Sequence, residues 1–497
     1  MASGMKLLAK ETAIYGLSSI VGKFLNWCLV PMYTRILTTA EFGITTNIYA
    51  YVAVLGVILT YGMETGFFRF INKEEEKPST VYSTTLGSIA ITSIIFIVLS
   101  FIFLSPVSTA IGYQHNSDFV LIMAIVIAID AFSSIPFAYL RYKKKAKTFM
   151  IIKMSNIFFT IFLNLFFLVV CPQIHKSAYA YTIDWFYDTD YKAGYVFLSN
   201  IFGSFFQLVL LSPYYIKNIK LNIDFNLLKR MLKYSMPLLL LGLVGMLNQN
   251  IDKIIYPFLF DNREEAMSEL GIYGACTRIA VVMMMFTQAF RFAYEPFVFG
   301  KKNKNDLQSY SDAMKYFVIF SLIIFLGVMY YIDILKFFVG EEFFAGIRVV
   351  PIVMISYIVY GIYFNLSFWY KMADKTYYGA IFSSVGCILT FAINIIFVPR
   401  YGYIASAWAS LICNVVMMLL SYIFEQREFP IYYEKRRILS YFVIALALYL
   451  IGAYVPIENI FLRLSFRTIL FFIFLFYIVK KDLPLSELPV IGKHFRK

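Results

Sequence analysis

Apolar runs of about twenty residues recur fourteen times along this chain, and their length constrains its fold more than any motif does. At 1.5 Å of rise per residue, such a run crosses the hydrocarbon core of a bilayer as a helix. Barrel strands are about ten residues long with alternating polarity, so the runs argue for helices. The expected spans are roughly 14–34, 45–68, 83–105, 118–140, 150–171, 194–216, 235–258, 271–299, 313–334, 348–370, 378–398, 403–424, 438–455 and 461–479. Charged residues make up 15% of the chain, against about 25% in a soluble domain. The class that follows is an all-α polytopic membrane protein.

The formal charge is +14, a value that elsewhere would point to nucleic acid. Its distribution argues otherwise. Lys and Arg gather in alternate loops: with the N-terminus in the cytoplasm, cytoplasmic segments hold 29 of them and the opposite loops 7. That asymmetry is the positive-inside pattern, and it sets both termini in the cytoplasm with no nucleic-acid partner. Lys6 and Lys10 precede the first run without a small-residue cleavage site, so that run reads as an uncleaved start-transfer segment. The five cysteines (Cys28, Cys171, Cys276, Cys387, Cys413) have no metal spacing and read as small buried hydrophobes.

Four regions follow from the runs: a six-helix bundle over 1–216, a cytoplasmic amphipathic linker over 217–234, a second six-helix bundle over 235–424, and two extra spanning helices with a basic cytoplasmic tail over 425–497. In the linker, Leu221, Ile223, Phe225, Leu227, Leu228, Met231 and Leu232 predict an interfacial helix, with Lys229, Arg230 and Lys233 at anionic headgroups. The bundles look like repeats. Glu41-Phe42-Gly43-Ile44 follows the first helix and Glu269-Leu270-Gly271-Ile272 follows the seventh, each after a late proline, Pro31 or Pro257. Six spans lie between the copies, which predicts a pseudo-two-fold axis along the membrane normal.

Ionisable residues inside spans are costly, on the order of 2.5–3.5 kcal/mol each at mid-membrane, and a chain that keeps them places them in a wet cavity. The densest stretch is Ser235 to Pro296. Asn248 and Asp252 share one face of the seventh helix, Gln249 and Lys253 another; Arg278 lies in the eighth, and Gln288, Arg291 and Glu295 form a stripe in its inner half. Lys23 lies ten residues into the first run, with Ser19 and Asn26 on its face; Glu64 and Arg69 end the second, and Asp130 is mid-span in the fourth. Arg69 and Lys153 stand near helix ends, where snorkelling is the plainer reading. Helices one, two, seven and eight thus carry cations at several depths, which suits an anionic headgroup, since Arg grips phosphate with two parallel bonds. Glu64, Asp130, Asp252 and Glu295 balance those charges or bind a coupling ion. No catalytic or metal site is expected: His115, His175 and His494 fall outside the spans, and no phosphate-binding loop of the GxxxxGK[ST] form occurs. Asp188-Thr189-Asp190 in the aromatic, acidic outer loop Pro172–Tyr191 resembles the acidic triplet of metal-dependent glycosyltransferases, which keeps an enzyme as a rival.

Three segments carry a wider resemblance. They are Tyr15…Ser18…Pro31-Met32-Tyr33-Thr34-Arg35-Ile36-Leu37-Thr38…Glu41-Phe42-Gly43, then Pro237…Asn250-Ile251-Asp252-Lys253…Leu270-Gly271-Ile272-Tyr273, and Pro399-Arg400-Tyr401-Gly402-Tyr403-Ile404-Ala405-Ser406-Ala407-Trp408-Ala409. Together they resemble the polysaccharide-transport branch (O-antigen and capsule flippases) of the multidrug/oligosaccharidyl-lipid/polysaccharide superfamily, to which lipid II flippases and multidrug transporters also belong. The resemblance implies two bundles around a central cavity and alternating access in a bacterial inner membrane. It implies flipping of undecaprenyl-diphosphate-linked oligosaccharide, with Lys23, Asn26, Arg69, Arg278, Gln288 and Arg291 at the diphosphate or sugar. No cofactor is implied; proton coupling, sodium coupling and the membrane potential all stay open as energy sources. Implied partners are membrane lipids and the polymerase and chain-length machinery. The first helix carries one Lys where lipid II flippases are arginine-rich, which favours a surface-polysaccharide unit. A multidrug or cation antiporter of the same fold is the main rival, and a glycosyltransferase or polymerase a lesser one.

Overall fold

A computed structural model describes residues 16, 18, 20–73, 76–216, 223–300, 307–373 and 375–482, without the side chains at 293, 295–300, 307 and 372. Lys6, Lys10, Tyr15, Ser19, Leu221, Lys301–Lys304, the tail beyond 482 and the Glu295 carboxylate therefore lie outside the described residues.

Helices dominate. After α1 (residues 20–27) come α2 (Val30–Ile36), α3 (Thr39–Thr60), α4 (Met63–Ile71), α5 (Pro78–Ile102), α6 (Leu104–Ala110) and α7 (Ser117–Tyr142). Next are α8 (Ala146–Leu165), which runs through a π turn into α9 (Cys171–His175), then α10 (Lys192–Tyr215), α11 (Phe225–Ile255), α12 (Arg263–Gly300) and α13 (Leu307–Tyr330). The chain continues with α14 (Ile332–Leu335), α15 (Val350–Leu366), α16 (Phe368–Met372), α17 (Tyr377–Tyr401), α18 (Tyr403–Glu428), α19 (Lys435–Tyr454) and α20 (Ile460–Lys481). Thirteen helical stretches among the described residues are long and apolar enough to span a membrane. They correspond one for one to the second through fourteenth expected spans; the first falls partly outside the described residues. The protein is a multi-pass membrane protein.

The described chain sorts into two compact units, Met1–Ala275 with Gly379–Ser406, and Cys276–Tyr378 with Ala407–Lys497. In the first, Phe67 of α4, Tyr82 and Ile89 of α5, Ile135 of α7 and Met231 of α11 meet in one buried cluster. Tyr61 and Gly62, both left-handed (φ 33° and 69°), divide the second span into α3 and α4. Gly62 can hold that angle because it lacks a Cβ.

The linker differs from its expected form. Residues 217–222 lie outside the described residues, but from Phe225 the chain is one continuous helix to Ile255, through Pro237. The Asp224 side chain caps it, accepting from the Asn226 and Leu227 N–H groups at 3.0 Å. Leu227 and Met231 are fully buried among α4, α5 and α7, and Arg230 pairs with Glu76. Of the apolar residues that predict a helix lying on the membrane, Leu227 and Met231 are taken up by the bundle, whereas Phe225 is exposed.

The two Glu-x-Gly-Ile copies meet. A Cβ at Gly43 would overlap the Met267 carbonyl, and one at Gly271 the Thr39 carbonyl, so the two helix backbones are in contact. Thr39 and Ser268 hydroxyls hydrogen-bond beside them at 2.7 Å. The paired glutamates do different work. Glu41 closes a capping box with Thr38, whereas Glu269 accepts from the Tyr403 N–H at 3.2 Å and the Tyr256 hydroxyl at 3.3 Å.

In the second unit, the hairpin α19–α20 is tied to α13 and α14. Arg467, buried in α20, donates to Asp333 (2.8 Å) and to the Gly452 and Tyr330 carbonyls, and Arg463 joins it on Asp333. At the opposite end, Lys315 of α13 faces Asp312, Glu434 and Asp482, and Arg437 bridges Glu434 and Asp482 at 2.8 Å each. The Arg437 hydrogen bond holds the Glu434 carboxyl below the usual range, while burial pushes that of Asp482 up.

Candidate functional site

A polar cavity of about 530 Å³ opens inside the first unit, lined by α1, α4, α7, α8 and α10. Lys23 and Asn26 reach it from α1, three residues apart and so on one face. Glu64 enters from α4, just past the left-handed break that turns this helix away from α3. Asp130, Ser134 and Arg141 come from α7, Lys153 and Asn156 from α8, and Gln207 from α10.

Three cations and two carboxylates share this lining. Arg141 pairs with Glu64 and also lies over the Phe68 ring at 5.2 Å. Asp130 accepts from the Ser204 hydroxyl at 3.0 Å and is the electrostatic counterpart of Lys153, whose ammonium lies over the Phe137 ring at 5.2 Å. Asn156 donates to Gln207 at 3.0 Å, so part of its hydrogen-bonding capacity is already turned toward the cavity wall. The arrangement provides positive potential, amide donors and acceptors, and aromatic edges in one water-accessible space. It can bind an anionic, hydroxyl-rich group without covalent chemistry.

Of the residues singled out in the sequence, Lys23, Asn26, Glu64 and Asp130 are brought together here. Arg69 is not among the lining; its guanidinium stacks on Tyr234 at 4.4 Å. Asp252 is buried in an ion pair with its neighbour Lys253 at 3.0 Å, and the Lys253 ammonium also donates to the Gln249 carbonyl. Arg278, Gln288 and Arg291 belong to the second unit, where Arg291 lies over the Phe364 ring at 4.6 Å and Lys371 over the same ring at 4.5 Å. Arg141, Lys153, Asn156 and Gln207 were not among the sequence candidates. Lys153 had the signal: Asn156 and Thr160 follow it at helical spacing, a polar stripe that snorkelling does not require.

In the loop between α9 and α10, Asp188 turns its carboxylate onto the Asp190 N–H at 2.9 Å. Among the described residues no group of three His, Cys, Asp or Glu is placed to hold a metal ion.

Residues 8–294 match the family described as polysaccharide biosynthesis protein, a range that contains every residue lining the cavity. The chain belongs to this family. An uncharacterized membrane protein of Methanocaldococcus jannaschii is 22% identical over 83% of this chain and 96% of its own length. The fold of this polysaccharide biosynthesis family member is similar to that of a lipid II flippase solved in an inward closed conformation (TM-score 0.67, 14% identity, 93% of this chain and 99% of that one). It is also similar to an inward-facing multidrug resistance transporter of the MATE family (TM-score 0.62, 12% identity, 82% and 95%). At 14% and 12% identity these two likenesses show a shared fold.

Proposed function

We propose that this protein moves a polyprenyl-diphosphate-linked oligosaccharide, an O-antigen, capsule or exopolysaccharide unit, from the cytoplasmic to the periplasmic leaflet of a bacterial inner membrane by alternating access. The observation that carries this reading is the cavity in the first unit, with three cations against two carboxylates. Arg141 suits two phosphate oxygens at once, and Lys23 and Lys153 act as point charges. Asn26, Asn156 and Gln207 match sugar hydroxyls. Arg69, Arg278, Gln288 and Arg291 are assigned to the same substrate by their place in the sequence alone. Asp130, Glu64, Asp252 and Glu295 balance charge or carry a coupling proton or sodium. The chain needs no cofactor in this scheme; the lipid-linked product passes to a polymerase and its chain-length partners.

A multidrug or cation antiporter is the second reading, favoured by the presence of Asp130 and Glu64 in the same cavity. Proteoliposomes separate the two. Lipid-linked oligosaccharide should change leaflet only when the protein is present. Lys23→Ala and Lys153→Ala should each slow it by ~10–100-fold, the equivalent of one charged hydrogen bond. Asp188→Asn with Asp190→Asn should leave the rate unchanged, whereas an enzyme using that pair would lose activity. No lipid movement, together with cation-dependent efflux of organic dyes, would establish the antiporter instead.

A further inference from the structure

A second cavity, about 520 Å³, lies between α3, α5, α6 and α7 in the first unit and is apolar almost throughout. Val52 and Leu55, Phe96 and Leu99, Val107, and Met123 form its walls; Leu99 and Val107 are exposed on its open side. It runs from the end of the bundle where α5 finishes and α7 begins down to the middle of α3 and α7. In a protein that spans a membrane, an apolar cleft at this depth meets hydrocarbon, not water.

Its mouth is not apolar. Arg263, the first residue of α12, donates to the carbonyl of Ile111, itself a wall residue, at 2.6 Å. Its guanidinium lies over the Tyr113 ring at 4.9 Å and acts electrostatically on Tyr51, another wall residue. The seat is built for it: Gly112 is left-handed (φ 74°), and a Cβ there would overlap the guanidinium. Among the described residues no carboxylate forms an ion pair with Arg263. The Ile111 carbonyl and the Tyr113 hydroxyl each take a bond from it, and a guanidinium with five N–H donors keeps others for an anion.

We propose that this cleft is a binding site for a phosphate-headed lipid, with one hydrocarbon chain between α3, α5, α6 and α7 and the phosphate on Arg263. Its assignment to the outer leaflet rests on the proposed orientation; the site itself does not depend on transport. A lipid held there would pack the face of the first bundle opposite in chemistry to the polar cavity.

The test is lipid retention by the full-length protein reconstituted in nanodiscs of mixed phosphatidylcholine and phosphatidylglycerol, then extracted and weighed by native mass spectrometry. Wild type should keep one phosphatidylglycerol in preference to phosphatidylcholine. Arg263→Gln should lower that preference about tenfold, the equivalent of one charge-assisted bond, and Arg263→Lys should keep most of it. Ser100→Phe, which fills the cleft from its wall, should remove the lipid whatever its headgroup, with the thermal midpoint unchanged. Retention without headgroup preference in wild type, or full retention by Ser100→Phe, would overturn the site. If Arg263→Gln does not fold, the Ser100→Phe result decides alone. Oligosaccharide flipping is scored separately, so its failure leaves this result standing.

Discussion

Gly43 and Gly271 are places where a single hydrogen in place of a side chain decides the packing. Each sits where a carbonyl of the opposite helix occupies the volume a Cβ would take. Gly43→Val should therefore push α3 and α12 apart and cost ~1–3 kcal/mol, read as an earlier thermal midpoint in detergent. Gly56, with open space around its missing Cβ, is the control, and Gly56→Ala should not lower the midpoint. The repeat that contains these glycines was legible in the sequence as two copies, but their mutual contact was not, because a repeat states likeness and not neighbourhood. Lys23 and Asp130 were legible for a plainer reason: a charge deep in an apolar run has few bland explanations. Arg141 stands at a helix end and Lys153 close to one, where snorkelling is cheap, so nothing local marked them until α7 and α8 were seen to face one cavity. Asp252 and Lys253 were read on separate helix faces; the flexible lysine stem lets adjacent residues pair all the same.

Between elements, the contact of α3 with α12 and the latch of the C-terminal hairpin make distinct predictions. Thr39 and Ser268 hydroxyls are close enough that Thr39→Cys with Ser268→Cys should form a disulfide on mild oxidation, best made in a background lacking the exposed Cys28. If separation of these helices belongs to the transport cycle, oxidation should stop transport and reduction restore it; transport that continues through the cross-link would exclude such a separation. The hairpin latch is sensitive to acid. Glu434 has its carboxyl held low by Arg437, so its contribution is complete above the usual carboxylate range and is lost as pH falls through the lowered value. Asp482, pushed up by burial, works in the opposite sense and protonates first. Wild type should thus lose thermal stability at the acid end of a pH series, and Glu434→Gln should lose less. The anchors of the last two spans leave no local mark in the sequence because they are long-range: Asp333 meets Arg463 and Arg467, and Lys315 meets Glu434 and Asp482.

For the whole molecule, the excess of Lys and Arg in alternate loops predicts a direction across the bilayer that can be tested residue by residue. A cysteine at Ser177, between α9 and α10, should react with an impermeant maleimide in intact cells. One at Lys144, between α7 and α8, should react only after permeabilisation. The reverse pattern would invert the molecule and, with it, the leaflet assigned to the apolar cleft. Thirteen helices of spanning length lie where the apolar runs predicted them, since run length alone is sufficient for that inference. What the runs could not indicate was the course of the chain through residues 223–235, where an amphipathic pattern fits a membrane surface and a protein interior equally well.

The meeting of the two Glu-x-Gly-Ile copies has one more consequence. Most helix pairs hold by side chains that interdigitate like gear teeth, and parting them means lifting every tooth. Where α3 crosses α12 at Gly43 and Gly271, bare backbone rests on bare backbone with a single hydroxyl pair alongside. Such a junction should work as a plain bearing, able to slide or part, and the cross-link between positions 39 and 268 is the measurement that decides it.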